Sequence, residues 1–444
     1  MRSVVADCIG RKLNRIMRIE SGKMNGKRIW KLRVLVVLLA SHFSLLTSHA
    51  QFYVGGDISM LPKYEAAGVV YKDKSGSTVS DVLGFFRQEG LNAMRVRLFV
   101  DPTKDSDKAV CQDLEYVKQL GRRIKDAGLH LMLDFHYSDT WADPAKQWTP
   151  DAWKTLSDSQ LTDKIYEYTK SCLQQMVDAG ARPDFIQTGN EISYGMLWGT
   201  EAAAKGNNTN RCYTNSPAAN WSRFIALLKQ AGKACREVCP EAGIILHSER
   251  TPKPDVLTDY FDRMANGAVD FDIIGLSYYP EHHGHLATLE TALKAVEQKQ
   301  YGKKVMIVET GYSYAWSIGG TYDYTKTYPF SEEGQRRFTA DLITLLKKHE
   351  IVSGLFWWWP EDNGNKNVTN GWWNAALYNH STGQPYPAFY ELKGFLDRGA
   401  SSVSTPKTGR RSDAVYHLTG QRVSGQPQRA GLYIINGRKY VMHL

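Results

Sequence analysis

Eight apolar runs of seven to nine residues punctuate the chain: FYVGGDIS from Phe52, NAMRVRLFV from Asn92, LHLMLDFHY from Leu129, DFIQTGNE from Asp184, AGIILHSE from Ala242, FDIIGLSYY from Phe271, KVMIVETGY from Lys304 and GLFWWWP from Gly354. Runs this short and this continuously apolar read as strands buried on both faces. Between them the apolar period lengthens to that of a helix, as in DLEYVKQLGRRIKDAG, TDKIYEYTKSCLQQMVDAG, WSRFIALLKQAGKACREV and EEGQRRFTADLITLLKKH, and glycines close several of these stretches where a helix stops. Such an alternation predicts a parallel sheet, either open and covered on both sides or closed on itself. Eight units over residues 51–398 predict an α/β fold made of one (β/α)8 barrel. A doubly wound open sheet is the alternative, but the glycine-rich phosphate loop that would favour it is missing after the first strand.

The two ends of the chain read differently. Lys27, Arg28, Lys31 and Arg33 precede the apolar VLVVLLASHFSLL, and SHA ending at Ala50 offers the small residues a signal peptidase reads. Residues 1–50 are therefore expected to be a secretory signal, with Met24 a candidate true start. A retained signal anchor is the rival reading; after cleavage no integral membrane span is expected. The protein is then exported, to the periplasm, the outer-membrane surface or the medium. Residues 399–413 form a Ser/Thr/Pro/Lys linker. In 414–444 the alternation of LYIINGRKYVM around Asn436 and Gly437 predicts a hairpin within a small β tail. A piece this small buries little alone, so it is expected to dock elsewhere or to be removed.

Mapping the net charge of +9 changes its meaning. Residues 1–50 hold ten Lys and Arg and residues 401–444 hold seven, which leaves 38 basic against 43 acidic residues between them. The main domain is mildly acidic and offers no basic face for nucleic acid. Beyond Ala50 lie five cysteines, Cys111, Cys172, Cys212, Cys235 and Cys239, an odd number without zinc spacing. Cys235 or Cys239 pairing with Cys212 is one reading, and buried free thiols are the other.

In a barrel of this kind, polar residues at the carboxyl ends of the strands line the mouth. Here those ends carry Asp57, then Arg95 and Arg97, Asp134 and His136, Asn190 and Glu191, His247 and Glu249, Tyr278 and Tyr279, Glu309, and Trp357 to Trp359. Glu191 and Glu309 fall on opposite sides of the closed sheet and can converge over its axis. Glycoside hydrolysis asks for such a pair, about 5 Å apart in retaining enzymes, one carboxyl protonating the departing oxygen and the other attacking the anomeric carbon. Arg97 is expected near Glu309, keeping it charged, and Asn190 beside a sugar hydroxyl. For either Glu alone, a structural ion pair is the competing reading.

Taken in order, GGDISMLP, LNAMRVRLFVDP, LDFHYSDTWADPAKQ, TGNEI, LSYYPEHHG and VETGY resemble the family 53 glycoside hydrolases, endo-β-1,4-galactanases in a large clan of retaining (β/α)8 barrels. The resemblance spans Phe52 to Arg398. It implies that Glu191 is the acid/base, that Glu309 is the nucleophile, and that the substrate is the β-1,4-galactan of type I arabinogalactan in pectin side chains. It further implies binding or supporting roles for Asp57, Arg97, His136, Asp139, Trp141, Asn190, Tyr278 and Tyr279. The tryptophan flooring the site aligns with Trp358; where the family often reads WEP this chain reads WWWP, so Trp359 stands in the position of a carboxylate and the local contacts are open.

Some bacterial members of that family bind calcium through Asp, Asp, His and Asn at alternate positions after the seventh strand. The corresponding SYAWSIGGTYDYTKTYPF lacks that spacing, and DNGNKNVTNG reads as an Asn/Gly-rich turn, so neither calcium nor any cofactor is expected. The histidines of EHHGH and DFHYSD have no zinc spacing and are expected to orient carboxylates or hold sugar hydroxyls. Trp141, Trp148, Trp198, Trp358, Trp372 and Trp373 fall in expected mouth loops and suit sugar stacking, whereas Trp221 falls in a helix. The expected partner is a polysaccharide and the expected state a monomer. The alternatives are the same barrel acting on mannan or glucan, and an inactive glycan-binding barrel. The tail motifs VYHLTGQRV and GLYIINGRKYVM resemble the carboxyl-terminal sorting tails of exported Bacteroidetes proteins.

Overall fold

The computed structural model of the chain describes residues 51–201, 210–369 and 371–397, with four short strands between 415 and 442. The expected signal segment and linker lie outside the described residues. Eight parallel strands close into a barrel: β1 (Tyr53–Asp57), β2 (Ala93–Leu98), β3 (His130–Phe135), β4 (Phe185–Thr188), β5 (Gly243–Ser248), β6 (Ile273–Tyr278), β7 (Lys304–Thr310) and β8 (Val352–Trp358). Each expected apolar run supplies one of them. Neighbours in sequence are neighbours in the sheet, and β8 pairs with β1 to complete the circle. Closure requires a close approach between β1 and β2, and Gly55 permits it. A Cβ there would fall 1.6 Å from the carbonyl oxygen of Ala93, so no other residue fits without moving the strand.

The helices α1 (Val82–Gln88), α2 (Leu114–Asp126), α3 (Asp158–Asp178), α4 (Ala218–Val238), α5 (Pro254–Asn266), α6 (Leu286–Lys299), α7 (Glu332–Leu346) and the short α8 (Pro387–Glu391) surround the barrel. Their starts are written in the sequence. Asp81, Asp113 and Ser331 each accept a backbone N–H from the first turn of α1, α2 and α7, and Ser157 with Gln160 forms a reciprocal capping box on α3. After α2 and α3 the chain reverses through Gly128 and Gly180, both at φ 74°. Trp221 is buried in α4 against Phe224 and Tyr260. The five cysteines are free thiols, four of them buried and Cys111 partly so, which decides against a disulfide to Cys212. Among the described residues no helix is long and apolar enough to cross a membrane.

The chain divides into two units between Leu396 and Asp397. In the second, Gly431–Ile435 pairs antiparallel with Arg438–Met442, the hairpin expected around Asn436 and Gly437. Val415–His417 and Arg422–Val423 extend it to a four-stranded antiparallel sheet.

Candidate active site

The barrel interior is layered, and the layering explains the site. Ala93, Met132, Phe185, Ile245, Ile273, Met306, Val308 and Phe356 fill its apolar centre. Alternation along a strand keeps every second residue inside. One pleat beyond those positions come Arg95, Asp134, Gln187 and His247, all fully buried, with Trp358 after Phe356 and Ser277 two pleats after Ile273. Glu309 enters this polar layer through an irregularity: β6 and β7 shift register between Leu276 and Ser277, so Ser277 pairs with Glu309 and Val308 is left over. The bulge turns two consecutive residues of β7 inward.

Arg95 is the centre of the layer. Its Nη1 donates to Asp57 Oδ2 and its Nη2 to Asp134 Oδ2 and Asn190 Oδ1, each at 2.8 Å. Glu309 Oε1 lies 2.9 Å from Nη2. Because Nη2 spends its two protons on Asp134 and Asn190, Glu309 Oε1 is held by charge and lacks a hydrogen-bond donor. Glu309 Oε2 accepts from the Tyr279 hydroxyl at 3.1 Å. Burial lifts the Glu309 carboxyl to about 7; Arg95 opposes that rise, Asp134 and Asp57 add to it, and the Tyr279 bond pulls against it.

This corrects the expectation for Arg97. Being one pleat further along β2, it overshoots Glu309, donates to Asp57 Oδ1 at 2.8 Å, and is enclosed by the rings of Trp141, Trp358 and Trp359 at 4.8, 4.9 and 5.2 Å.

Glu191 follows β4 at φ 47°, a conformation a residue with a Cβ seldom adopts. A closed circuit of hydrogen bonds holds it there. Its backbone N–H meets His247 Nδ1 at 3.2 Å, His247 Nε2 is 2.8 Å from Ser277 Oγ, and that hydroxyl donates to Glu191 Oε1 at 2.6 Å. Since Nδ1 receives a proton donor, the neutral ring carries its hydrogen on Nε2. Burial holds His247 well below its ordinary pKa, in keeping with a neutral imidazole. The Glu191 carboxyl is pushed well above the ordinary range, first by burial, then by the charges of Glu309 and Glu249.

Both glutamates line one cleft of about 940 Å³, with Trp141, Asn190, Tyr279 and Trp358 among its walls. The other expected residues stand behind it or apart. Asp57 joins Arg95 to Arg97. His136 is buried 3.1 Å from Asp134, its Nδ1 accepting from Ala142 N. Asn190 already gives one N–H to the Ala142 carbonyl. Two of the expected residues stand outside the cleft, in supporting positions. Tyr278 points outward, since alternation gives the inward place to Ser277; its hydroxyl donates to Gly284 O and its ring packs on Phe338 of α7. Asp139 ties two loops, accepting from the backbones of Asp101 and Asp151, and lies off the cleft.

Ser277 escaped the sequence reading, and Arg95, Glu249 and Trp359 stood in it only as strand-end residues without a role. Arg95 and Ser277 carry the inward parity of their strands, which the apolar layer could have fixed. Glu249, at the end of β5, lines the cleft, accepts from Ser193 Oγ and pairs with Arg250 at 3.0 Å. Trp359 stacks on Trp358 with ring centres 5.4 Å apart, and both face the cleft. Trp372 joins them there, whereas Trp148 and Trp198 pack on each other. Asp362, Asn363 and Asn365 each accept the N–H two residues on, the turn expected of DNGNKN. Among the described residues no group of three or more His, Cys, Asp or Glu is placed to hold a metal ion.

Known proteins resemble this chain in sequence and in fold. The family model described as glycosyl hydrolase family 53 matches residues 53–391. An arabinogalactan endo-beta-1,4-galactanase of Cellvibrio japonicus is 31% identical over 387 residues, covering 83% of this chain and 97% of its own. An endo-beta-1,4-galactanase of Bacillus subtilis is 31% identical over 320 residues, 70% of each chain. The solved family 53 catalytic domain of Ignisphaera aggregans superposes with a TM-score of 0.68 at 30% identity, over 78% of this chain and 96% of that one. With the family model spanning the whole barrel and the carboxylate pair at its mouth, the chain belongs to glycosyl hydrolase family 53.

Proposed function

We propose that this chain is an exported endo-β-1,4-galactanase that cleaves the galactan of type I arabinogalactan by double displacement with retention. One observation carries the mechanism: two glutamates, Glu309 buried and Glu191 half-buried, share a cleft, yet their surroundings differ. Glu309 has Arg95 and the Tyr279 hydroxyl to favour its ionised form; Glu191 faces Glu309 and Glu249, which favour its proton. Environments that separate two carboxyl pKa values assign the nucleophile and the acid. Glu309 attacks the anomeric carbon while Glu191 protonates the departing oxygen, forming a glycosyl-enzyme. Glu191, now ionised, takes a proton from water, which attacks the same carbon and frees Glu309. Ser277 and His247 keep the Glu191 carboxyl aimed through both steps. The galactanase names of relatives such as those from Cellvibrio japonicus and Bacillus subtilis support the choice of substrate.

Purified galactan, mannan and β-glucan, each digested in an NMR tube, test the reading. Release of reducing ends from galactan in preference to the others, with the β-anomer appearing before mutarotation, is expected. First appearance of the α-anomer would remove the double displacement, and preference for mannan or glucan would remove the substrate.

Glu249 offers a finer test. Its carboxyl is lifted to about 7 by burial, and when ionised it raises Glu191. In Glu249→Gln that charge is gone at every pH, so Glu191 loses its proton earlier and the alkaline limb of kcat against pH moves to lower pH. An unmoved alkaline limb in the folded variant would show that the charge of Glu249 does not reach the acid.

A further inference from the structure

Trp316 is the one exposed tryptophan among the described residues, 47% accessible, on the loop that follows β7 and its Glu309. An indole left open to water is uncommon, and here it is not a side chain on a slack loop. The Trp316 carbonyl accepts from Ser313 Oγ and from Asn374 Nδ2, the latter at 2.6 Å. Asn374, itself buried, also reaches Ser313 Oγ at 2.9 Å, and its carbonyl accepts from Tyr314 N at 2.9 Å. The loop after β7 is thereby buckled to the segment after β8. The Trp316 ring meets Trp373 with centres 4.3 Å apart at 79°. An edge-to-face contact leaves the faces of the edge-on ring uncovered by its partner.

The position relative to the cleft gives this surface its meaning. Trp372, next to Trp373 in the chain, lines the cleft and packs at 5.1 Å against Tyr279, the residue that donates to Glu309. The segment that carries Trp373, and through it braces Trp316, therefore starts at the cleft wall with Trp372. Neither Trp373 nor Trp316 lines the cleft itself.

We propose that Trp316, braced by Trp373, is a distal stacking platform for the galactan chain where it leaves the cleft. The proposal rests on the galactanase reading above. A pyranose presents an apolar C–H face to an indole, and a platform whose backbone is already fixed orders little on binding. Because it stands outside the cleft, only a substrate long enough to overhang the cleft can touch it. Its signature is therefore dependence on chain length.

The experiment compares kcat/KM on polymeric galactan and on galactotriose for wild type, Trp316→Ala and Trp316→Phe, with the unfolding midpoint of each as the control for folding. Trp316→Ala is expected to lose roughly three- to tenfold on the polymer, through KM, with galactotriose unaffected, the size of one aromatic stacking contact. Trp316→Phe is expected to recover most of the loss. Equal losses on polymer and trisaccharide would make Trp316 a structural residue, and no loss on either would leave the surface to some other occupant; both overturn the proposal. Wild type that leaves galactan intact overturns the galactanase reading instead, which keeps the two failures apart.

Discussion

Glu309→Ala is expected to lower kcat on galactan on the order of 10⁵-fold, about 7 kcal/mol of transition-state stabilisation. The size follows from the role: without the carboxylate no glycosyl-enzyme forms, and what remains is the binding cleft and a lone acid. Glu191→Ala is expected to lose less on the polymer, about 10³-fold, the usual scale of general acid assistance. On an aryl galactoside whose leaving group needs no proton, the first step of Glu191→Ala should approach that of wild type. Azide separates the two roles further. In Glu309→Ala it enters the space left by the carboxylate and attacks the anomeric carbon directly, giving the α-galactosyl azide. In Glu191→Ala it attacks the glycosyl-enzyme on Glu309, and two inversions give the β-azide. The same azide anomer from both variants would sink the assignment, as would residual activity within tenfold of wild type for Glu309→Ala.

The pH dependence carries the same assignment with a sign. Activity requires Glu309 ionised and Glu191 protonated. It therefore rises with pH as Glu309 gives up its proton near 7, and falls as Glu191, held higher by burial and by its charged neighbours, gives up its own. The two titrations belong to the pair, so the limbs of the profile report the pair and not isolated residues.

The apolar runs made the barrel legible because the strands are buried on both faces, and only β2, with Arg95 and Arg97, alternates polar residues with apolar ones. The ends of the strands were legible for the same reason: a carboxylate such as Glu191 where an apolar run stops has few structural excuses. What escaped was height along a strand in one case and parity in the other. Whether Arg95 or Arg97 meets Glu309, and whether Ser277 or Tyr278 faces inward, depends on a register shared with neighbouring strands, and on β7 that register is broken by the bulge at Val308. A bulge is a property of a pair of strands and leaves no mark in one strand's pattern. The kind of support that Asp139 gives was hidden for a different reason. An acidic residue in a loop is equally suited to ligand and to backbone N–H groups, and here it takes Asp101 and Asp151. Trp359, standing where the resemblance led one to expect a carboxylate, joins the cation–π enclosure of Arg97, which forms only once β2, the end of β8 and the loop after β3 are brought together.

Arg95→Met is expected to cost about 3–5 kcal/mol of unfolding free energy and nearly all activity. Removing one partner of a buried ionic cluster leaves the others without compensation. Here those are Asp57, Asp134 and Glu309, all drawn around one fully buried guanidinium. A fall in both stability and rate would still fit a purely structural residue, so Arg95→Lys is the sharper variant. Lysine keeps the charge but lacks the fork that holds Asp57 with one nitrogen and Asp134 and Asn190 with the other. With the cation less well placed, the ionised form of Glu309 is less favoured. The acid limb of kcat/KM should then move to higher pH, while KM for galactan changes little, because Arg95 has no exposure in the cleft. A folded Arg95→Lys whose acid limb stays with wild type would mean that Glu309 owes its charge to something other than Arg95, and the electrostatic division between the two glutamates would need another source.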